Sequence, residues 1–351
     1  MNFKTLIKAV KANRSKVVAW LISKEGADID PSFENNKAIG VASKKGHVEV
    51  VKVLLKDLRV NPAANDNWAI KCASRYGYLE VVKELLKDSR VNPAANDNWA
   101  IQYASESGHT EVVKVLLQDS RVNPAADDNC AIKEASVNGY LEVVKVLLKD
   151  SRVNPAADDN YAIRMASEHG HTELVKVFLK DSRVNPAAID NWAIKCASES
   201  GHAEVVKELL KDKRVNPAAN DNFAIKFASR YGNLEVVKVL LKDLRIDPAA
   251  NGNYAFRSAS ANGHVEVVKV LLQDLRVNPA TEDNEAIKWA SANGLALRGE
   301  LGSGEHLEVV KLLKAHQKQK ESKKEPKTFE IKLNKIANIS YKNDSMIVTY
   351  K

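Results

Sequence analysis

The chain repeats itself every 31 residues, and this period constrains the fold more than any other feature of the sequence. The segment RVNPAANDNWAIKCAS at 59–74 returns as RVNPAANDNWAIQYAS at 90–105. Prolines keep the same spacing from Pro31 to Pro279, and glycines keep it from Gly46 to Gly294. Such self-similarity is typical of solenoids, in which each unit is completed by stacking on its neighbours. The sequence therefore predicts an all-α stack of about ten units.

The first helix of each unit is predicted from small and apolar residues at helical spacing, with 67–97 as the example. This spacing runs from Trp68 to about Ser74. Asn67 stands at the N-cap position, where asparagine is favoured because its side chain accepts a backbone N–H of the first turn. Gly77 follows as a residue that tolerates positive φ and ends the helix.

A second helix is predicted to begin near Leu79. Val82, Leu85 and Leu86 form its apolar side, and the lysines between them point outward. Pro93 then forbids helix and turns the chain towards the next unit. A helix pair this short cannot bury its apolar side alone, so it must pack between two neighbouring units.

The positive charge is concentrated at one end of the chain. Residues 314–351 carry +6 of the formal net charge of +8, which leaves a nearly neutral repeat array. The apolar run Val17–Ile22 is too short to span a membrane, and the first sixteen residues lack the apolar stretch of a signal peptide. We therefore expect an intracellular protein, in the cytoplasm or, through the basic tail, in the nucleus, without membrane association and monomeric.

The sequence contains no arrangement of residues that predicts catalysis, a cofactor or a metal site. Cys72, Cys130 and Cys196 lie in three different units, too far apart for a disulfide or a shared zinc site, and are expected to be buried thiols. Six histidines follow or replace the position after the turn glycine, one in a unit, and are expected to be structural: His47, His109, His171, His202, His264 and His306. GELGSG at 299–304 lacks the lysine and hydroxyl residue of a phosphate-binding loop.

The repeat resembles that of the ankyrin family. ASRYGYLEVVKELL and ASKKGHVEVVKVLL are similar to the family's A-A-x-x-G-H-L-E-I-V-x-x-L-L stretch, RVNPA is similar to its D-V-N-A turn, and KEGADID contains its G-A-D turn. The resemblance covers about residues 1–318 and implies a helical-hairpin solenoid that binds partner proteins on its concave face. The 31-residue form also resembles expanded arrays of giant DNA viruses and amoebal hosts, where a host–virus role would be expected.

Two departures from the family pattern affect the expected structure. Ankyrin units have about 33 residues, so the shorter turn predicts a blunter β-hairpin finger or none. The T-P-L-H tetrapeptide is replaced by patterns such as WAIK at 68–71, which requires different hydrogen bonding at the helix start. The predicted organisation is an N-terminal capping repeat (1–35), eight tandem repeats (36–283), a C-terminal repeat (284–318) with an 11-residue insertion (295–305), a lysine-rich linker (319–327) and a β-hairpin tail (328–351).

The two residues before the turn glycine, here called the variable pair, change from unit to unit while their surroundings do not. A constant framework with variable positions is expected of a recognition surface, although drift at exposed positions would give the same pattern. The pairs are Lys44–Lys45, Arg75–Tyr76, Glu106–Ser107, Val137–Asn138, Glu168–His169, Glu199–Ser200, Arg230–Tyr231, Ala261–Asn262 and Ala292–Asn293.

Two further stripes run along the first helices. The basic stripe consists of Lys71, Lys133, Arg164, Lys195, Lys226, Arg257 and Lys288, with Gln102 in one unit. It is a candidate for binding acidic partners or phosphates, but neutralisation by turn residues such as Asp97 and Asp128 is favoured. The aromatic stripe consists of Trp68, Trp99, Tyr161, Trp192, Phe223 and Tyr254. Stacking on single-stranded bases is one interpretation, and packing between repeats is the favoured one.

The tail does not follow the repeat. A lysine-rich segment precedes alternating apolar and polar residues at 329–339 and 346–350, a pattern that predicts a hairpin docked on the last unit or on a partner. Two functions remain open from sequence. One is a non-enzymatic protein-binding scaffold. The other is an adaptor whose tail engages nucleic acid, nuclear import or ubiquitin-ligase machinery.

Overall fold

The computed structural model describes residues 2–279, 281–296, 303–324, 336–342 and 345–350, and it confirms the predicted all-α repeat array. The first helices are α1 (Phe3–Lys11), α3 (Phe33–Lys44), α5 (Ala64–Arg75), α7 (Ala95–Glu106), α9 (Ala126–Val137), α11 (Ala157–Glu168), α13 (Ala188–Glu199), α15 (Ala219–Arg230), α17 (Ala250–Ala261) and α19 (Thr281–Ala296). The second helices are α2 (Ser15–Ile22), α4 (Val48–Leu55), α6 (Leu79–Leu86), α8 (Thr110–Leu116), α10 (Leu141–Leu147), α12 (Thr172–Lys180), α14 (Ala203–Leu210), α16 (Leu234–Leu240), α18 (Val265–Leu272) and α20 (Ser303–Lys324).

We number the units 1 to 10 from the capping repeat to the C-terminal repeat. Each helix packs on its partner in the same unit and on the equivalent helix of each adjacent unit. Successive first helices are packed more extensively than successive second helices. The stack is therefore tighter on the side of the first helices, where the small residue Ala73 and its equivalents are fully buried.

The start of the first helix differs from the prediction. In α5, Asn65, Asp66 and Asn67 have φ of 52°, 54° and 62°, which is left-handed backbone that asparagine and aspartate tolerate better than most residues. The helix also extends to Arg75, and Asn67 does not cap it. The prediction of an Asn67 N-cap was wrong, because this side chain is used in a bond to the next unit.

Asn67 and its equivalents form an asparagine ladder between units. The side-chain oxygen of Asn67 accepts the backbone N–H of Asn92, 25 residues later, at 2.6 Å. The same bond joins every successive pair from Asn36 to Asn253 at 2.6–3.0 Å. Asn98, for example, is only 8% exposed. A buried polar group needs a partner, so this ladder fixes the position of each unit on the one before it.

Arginine and histidine make two further bonds between units. Arg90 donates from Nη1 to the carbonyl oxygen of Val60 at 2.8 Å, and from Nη2 to Asp88 at 2.6 Å. His109, at the start of α8, donates from Nε2 to the carbonyl oxygen of Arg75 at 3.0 Å. Both arrangements recur along the array. The histidines are thus structural, and each joins its own unit to the preceding one.

The turn glycine is required by this contact. Gly77 has φ of 71°, and a Cβ atom added there would lie 2.5 Å from Nδ1 of His109. In the second helix α6, Val81, Val82 and Leu85 are buried. Leu86, which was predicted to belong to this apolar side, is only half-buried.

The C-terminal end departs from the regular repeat. Helix α19 continues through Gly294 to Ala296, and α20 begins at Ser303, so both ends of the 295–305 insertion belong to helices, and residues 297–302 lie outside the described residues. Helix α20 runs through the lysine-rich segment to Lys324. Strands β1 (Ile336–Lys342) and β2 (Ser345–Tyr350) pair antiparallel. Residues 325–335, which include the start of the predicted stretch 329–339, lie outside the described residues.

No helix in the described ranges has both the length and the apolar composition needed to cross a membrane.

Candidate partner-binding face

The variable pairs lie at the carboxyl ends of the first helices, next to the turn glycines. Arg75 is the last residue of α5 and Tyr76 is its C-cap. Tyr76 is 45% exposed and Tyr231, its equivalent in unit 8, is 50% exposed. Neighbouring pairs lie close enough to interact, since Nζ of Lys44 is 5.9 Å from the centre of the Tyr76 ring. The pairs thus form a row along the array that is largely accessible to solvent, although Ala261 in unit 9 is buried.

A third variable position lies beside the pairs, and sequence reasoning missed it. It falls one residue after the basic stripe and is occupied by Val41, Cys72, Tyr103, Glu134, Met165, Cys196, Phe227, Ser258 and Trp289. The guanidinium of Arg75 lies 4.9 Å from the ring of Tyr103 in the next unit. The sequence shows that this position varies from unit to unit, but it does not show on which face of the array the position lies. We call the pairs together with this position the variable face.

The aromatic stripe borders the variable face. In unit 8, Phe223, Phe227 and Tyr231 follow one another at steps of four residues, which places them on one side of α15. Phe223 stacks on Phe227 with ring centres 3.7 Å apart, and Phe227 lies 6.2 Å from Tyr231. In unit 4, Trp99 and Tyr103 are 5.7 Å apart. Aromatic rings therefore extend from the helix start onto the variable face.

Aromatic rings also contact the preceding unit. A Cβ atom at Gly40 would lie 1.9 Å from the ring of Trp68, so this tryptophan packs directly on the glycine of unit 2. Nζ of Lys195 lies between Trp192 and Phe223, at 3.8 Å and 4.2 Å from the ring centres. These contacts support the packing interpretation of the aromatic stripe.

Most residues of the basic stripe contact other groups of the array, of several kinds. Lys133 pairs with Asp128 at 3.3 Å, as the sequence suggested. Lys71 is only 9% exposed and lies over the ring of Trp99 at 4.8 Å. Arg164 donates to the carbonyl oxygens of Asp159 and Asp158. Cation–π contact with the next unit was not visible in the sequence, because it joins residues 28 positions apart.

Lys226 and Arg257, nearer the end of the array, also contact aromatic rings of the next unit. Nζ of Lys226 lies 5.7 Å from the ring centre of Tyr254. Arg257 lies 5.3 Å from the ring centre of Trp289 and forms an ion pair with Glu285. Lys288 is exposed. Most of the stripe is thus occupied by contacts within the array, which leaves little of it to bind an acidic partner.

Carboxylates on the variable face differ from those on the second helices. Each second helix from α4 to α18 carries a Glu–Lys pair three residues apart, joined at 2.5–2.7 Å. We call the exposed side that carries these pairs the paired face. Glu106, Glu134, Glu168 and Glu199 on the variable face form no ion pair within the described part of the chain. Burial, together with the charge of Glu106, raises the pKa of Glu134.

The cysteines show no sign of reactivity. All three are free, with Cys72 and Cys196 buried and Cys130 only half-buried, contrary to the prediction for the last. Burial raises the pKa of Cys130 to about 11 and that of Cys196 to about 12, so both remain thiols at neutral pH. Among the described residues, no group of three or more potential ligands could hold a metal ion.

Comparison with known families gives a consistent match along the array. The family model described as ankyrin repeats, in three copies, matches residues 6–97, 70–159, 135–221, 163–251 and 225–325. These segments overlap and together span 6–325. A search of curated proteins found no match.

Proposed function

The chain belongs to the ankyrin repeat family, whose repeats generally serve as scaffolds for protein–protein interaction, and we propose that it recognises a partner protein on the variable face. The observation that carries this proposal is the contrast between the constant bonds that join the units and the residues that differ on one accessible face. The recurring bonds of the asparagine ladder, the arginines and the histidines do not use the side chains of the variable pairs.

Because successive first helices pack on one another more extensively than successive second helices, we infer that the side they line, which carries the variable face, is the concave side of the array. The asparagine ladder and the arginine bonds hold this face in one conformation before the partner arrives. A preformed surface loses little conformational entropy on binding. Tyr76 and Tyr231 supply large exposed rings, which contribute strongly at protein interfaces. Ankyrin repeat proteins are typically non-enzymatic, and we propose that this chain is likewise a non-enzymatic scaffold and that it is a monomer.

The proposal is tested by affinity capture with two matched double variants of the full chain. Arg75→Ala with Tyr76→Ala removes the variable pair of unit 3. Glu80→Ala with Lys83→Ala removes the Glu–Lys pair of the paired face in the same unit. We expect the first variant to lose the captured protein while keeping its helical circular dichroism, and the second to retain the protein. Equal capture by both variants would place binding elsewhere.

The basic tail supports a second candidate function. Residues 314–351 carry +6, and α20 continues to Lys324, beyond the last unit. In this alternative the array holds a target while the tail engages nucleic acid, nuclear import or ubiquitin-ligase machinery. Deleting 319–351, which removes +4 of this charge, should leave target capture unchanged and abolish nuclear accumulation or downstream recruitment. Unchanged localisation and recruitment would rule the adaptor function out.

A further inference from the structure

The variable pairs of units 3 to 8 show a nearly symmetric charge pattern. Arg-Tyr occupies the pair of units 3 and 8, and Glu-Ser occupies the pair of units 4 and 7. Between them lie Val137–Asn138 in unit 5 and Glu168–His169 in unit 6, with Glu134 at the third variable position of unit 5. Along the array the face is thus basic, then acidic over four units, then basic again.

Both basic ends are also aromatic. Arg75 lies 4.9 Å from the ring of Tyr103, and Tyr76 lies beside it with 45% of its surface exposed. Arg230 lies 6.0 Å from the ring of Phe227 and 5.9 Å from that of Tyr231. The two ends therefore present the same chemistry, a guanidinium held over aromatic rings, although they lie five units apart.

No ion pair compensates the glutamates of the acidic centre within the described part of the array, and the charge of Lys133 offsets only part of the rise in the pKa of Glu134. Lys133 pairs with Asp128 and Asp158 of the turns. Arg164 and Lys195, one helical turn before Glu168 and Glu199, are held by backbone carbonyls and by aromatic rings. Burial and the charge of Glu106 both raise the pKa of Glu134, which means that this carboxylate has lost hydration and is repelled by its neighbour. A cationic ligand would relieve both costs.

Resting on the function proposed above, we infer that the variable face binds an extended segment of a partner protein that is basic at its centre and acidic towards both ends. Units stacked about 8–10 Å apart place the two Arg-Tyr pairs about 40–50 Å apart along the array. An extended chain advances about 3.3 Å per residue, so the segment has about 12–15 residues. Nucleic acid does not fit, because its uniformly negative backbone would meet the acidic centre.

The test uses three synthetic peptides of about 15 residues with the same composition and a fluorescent label. The first has lysines at the centre and aspartates at both ends, the second has the reverse order, and the third alternates the two charges. Equal net charge removes the non-specific attraction of the basic tail from the comparison. Anisotropy titration against the full chain should show that the first peptide binds at least about tenfold more tightly than the other two.

Matched variants then locate the effect on the surface. Glu106→Gln with Glu199→Gln should remove most of the tenfold preference. Glu111→Gln with Glu204→Gln, in the same units but on the paired face, should leave it unchanged. Three outcomes would overturn the inference: equal affinity for the three peptides, no binding of any, or loss of the preference in the paired-face variant. Affinity capture with the Arg75→Ala and Tyr76→Ala double variant tests the scaffold function independently of the peptide titrations.

Discussion

The variable face and the paired face are built from the same helical units but use charge in opposite ways. On the paired face, every glutamate from Glu49 to Glu266 has a lysine three residues later, at 2.5–2.7 Å. On the variable face, the glutamates form no ion pair among the residues that the structure describes, and the residue type changes from unit to unit. Charges that are paired within a unit are repeated along the array. The unpaired charges of the variable face differ from unit to unit and are available to a partner.

The largest predicted effect on stability comes from the aspartates of all the turns that join the units, acting together. The hydrogen bond from arginine lowers the pKa of Asp88, Asp119 and Asp150 and of their equivalents. A carboxylate whose pKa is lowered by folding stabilises the fold above its unfolded pKa, near 4, and this stabilisation is lost as the pH falls through the lower, folded value. Urea unfolding between pH 7 and pH 2 should show a steep loss of stability below about pH 4. A free energy of unfolding that does not change over this pH range would contradict the stabilising role of the Asp–Arg pairs.

A second large effect is expected at a single rung of the asparagine ladder. Asn98→Ala leaves the N–H of Asn123 without its acceptor and places alanine in left-handed backbone, which together should cost about 2–4 kcal/mol. Asp97→Ala is the control, because Asp97 is left-handed and exposed but forms no such rung. Urea unfolding of both variants gives the contribution of this hydrogen bond, because the cost of alanine in left-handed backbone is common to both. Equal destabilisation would mean that the backbone conformation alone accounts for the loss.

A smaller and stabilising effect is expected where one unit departs from the framework. Ile189 occupies a left-handed position with φ of 48°, where the equivalent residue of most units is asparagine or aspartate. A β-branched residue is strained there, so Ile189→Asn should stabilise the chain by about 1 kcal/mol. The reverse change in unit 8, Asn220→Ile, should destabilise it by a similar amount. Melting temperatures that shift in opposite directions for the two variants would support this explanation, and shifts in the same direction would refute it.

The smallest effect compares the two faces directly within unit 5. Glu142→Gln breaks a pair of the paired face and should cost about 0.3–0.5 kcal/mol. Glu134→Gln removes a charge whose pKa is raised by burial and by Glu106, so at pH 7 it should be neutral or slightly stabilising. Urea midpoints measured at low salt distinguish the two variants. If Glu134→Gln destabilised the chain more than Glu142→Gln, the contrast between the faces would be lost.

Much of the fold followed from the sequence because its signals are local. The 31-residue period, the turn glycines and the spacing of Val82 and Leu85 predicted helix pairs in a stack, and the family match confirms it. Asn67 was misassigned because its partner lies 25 residues away, so a local cap and a bond between units look the same in sequence. The third variable position was missed for a similar reason. Only the contact between Arg75 and Tyr103 shows which face it occupies.

One chain variant tests the central claim, that the constant residues hold the array together and the variable pairs choose the partner. The pairs of units 3 to 8 are all replaced by Ala-Asn, which the chain already carries in units 9 and 10 and which the repeat therefore accommodates. Urea unfolding and affinity capture are then measured on the same preparation. The account predicts an essentially unchanged unfolding midpoint and complete loss of the captured protein. Retention of that protein by the folded variant would contradict it.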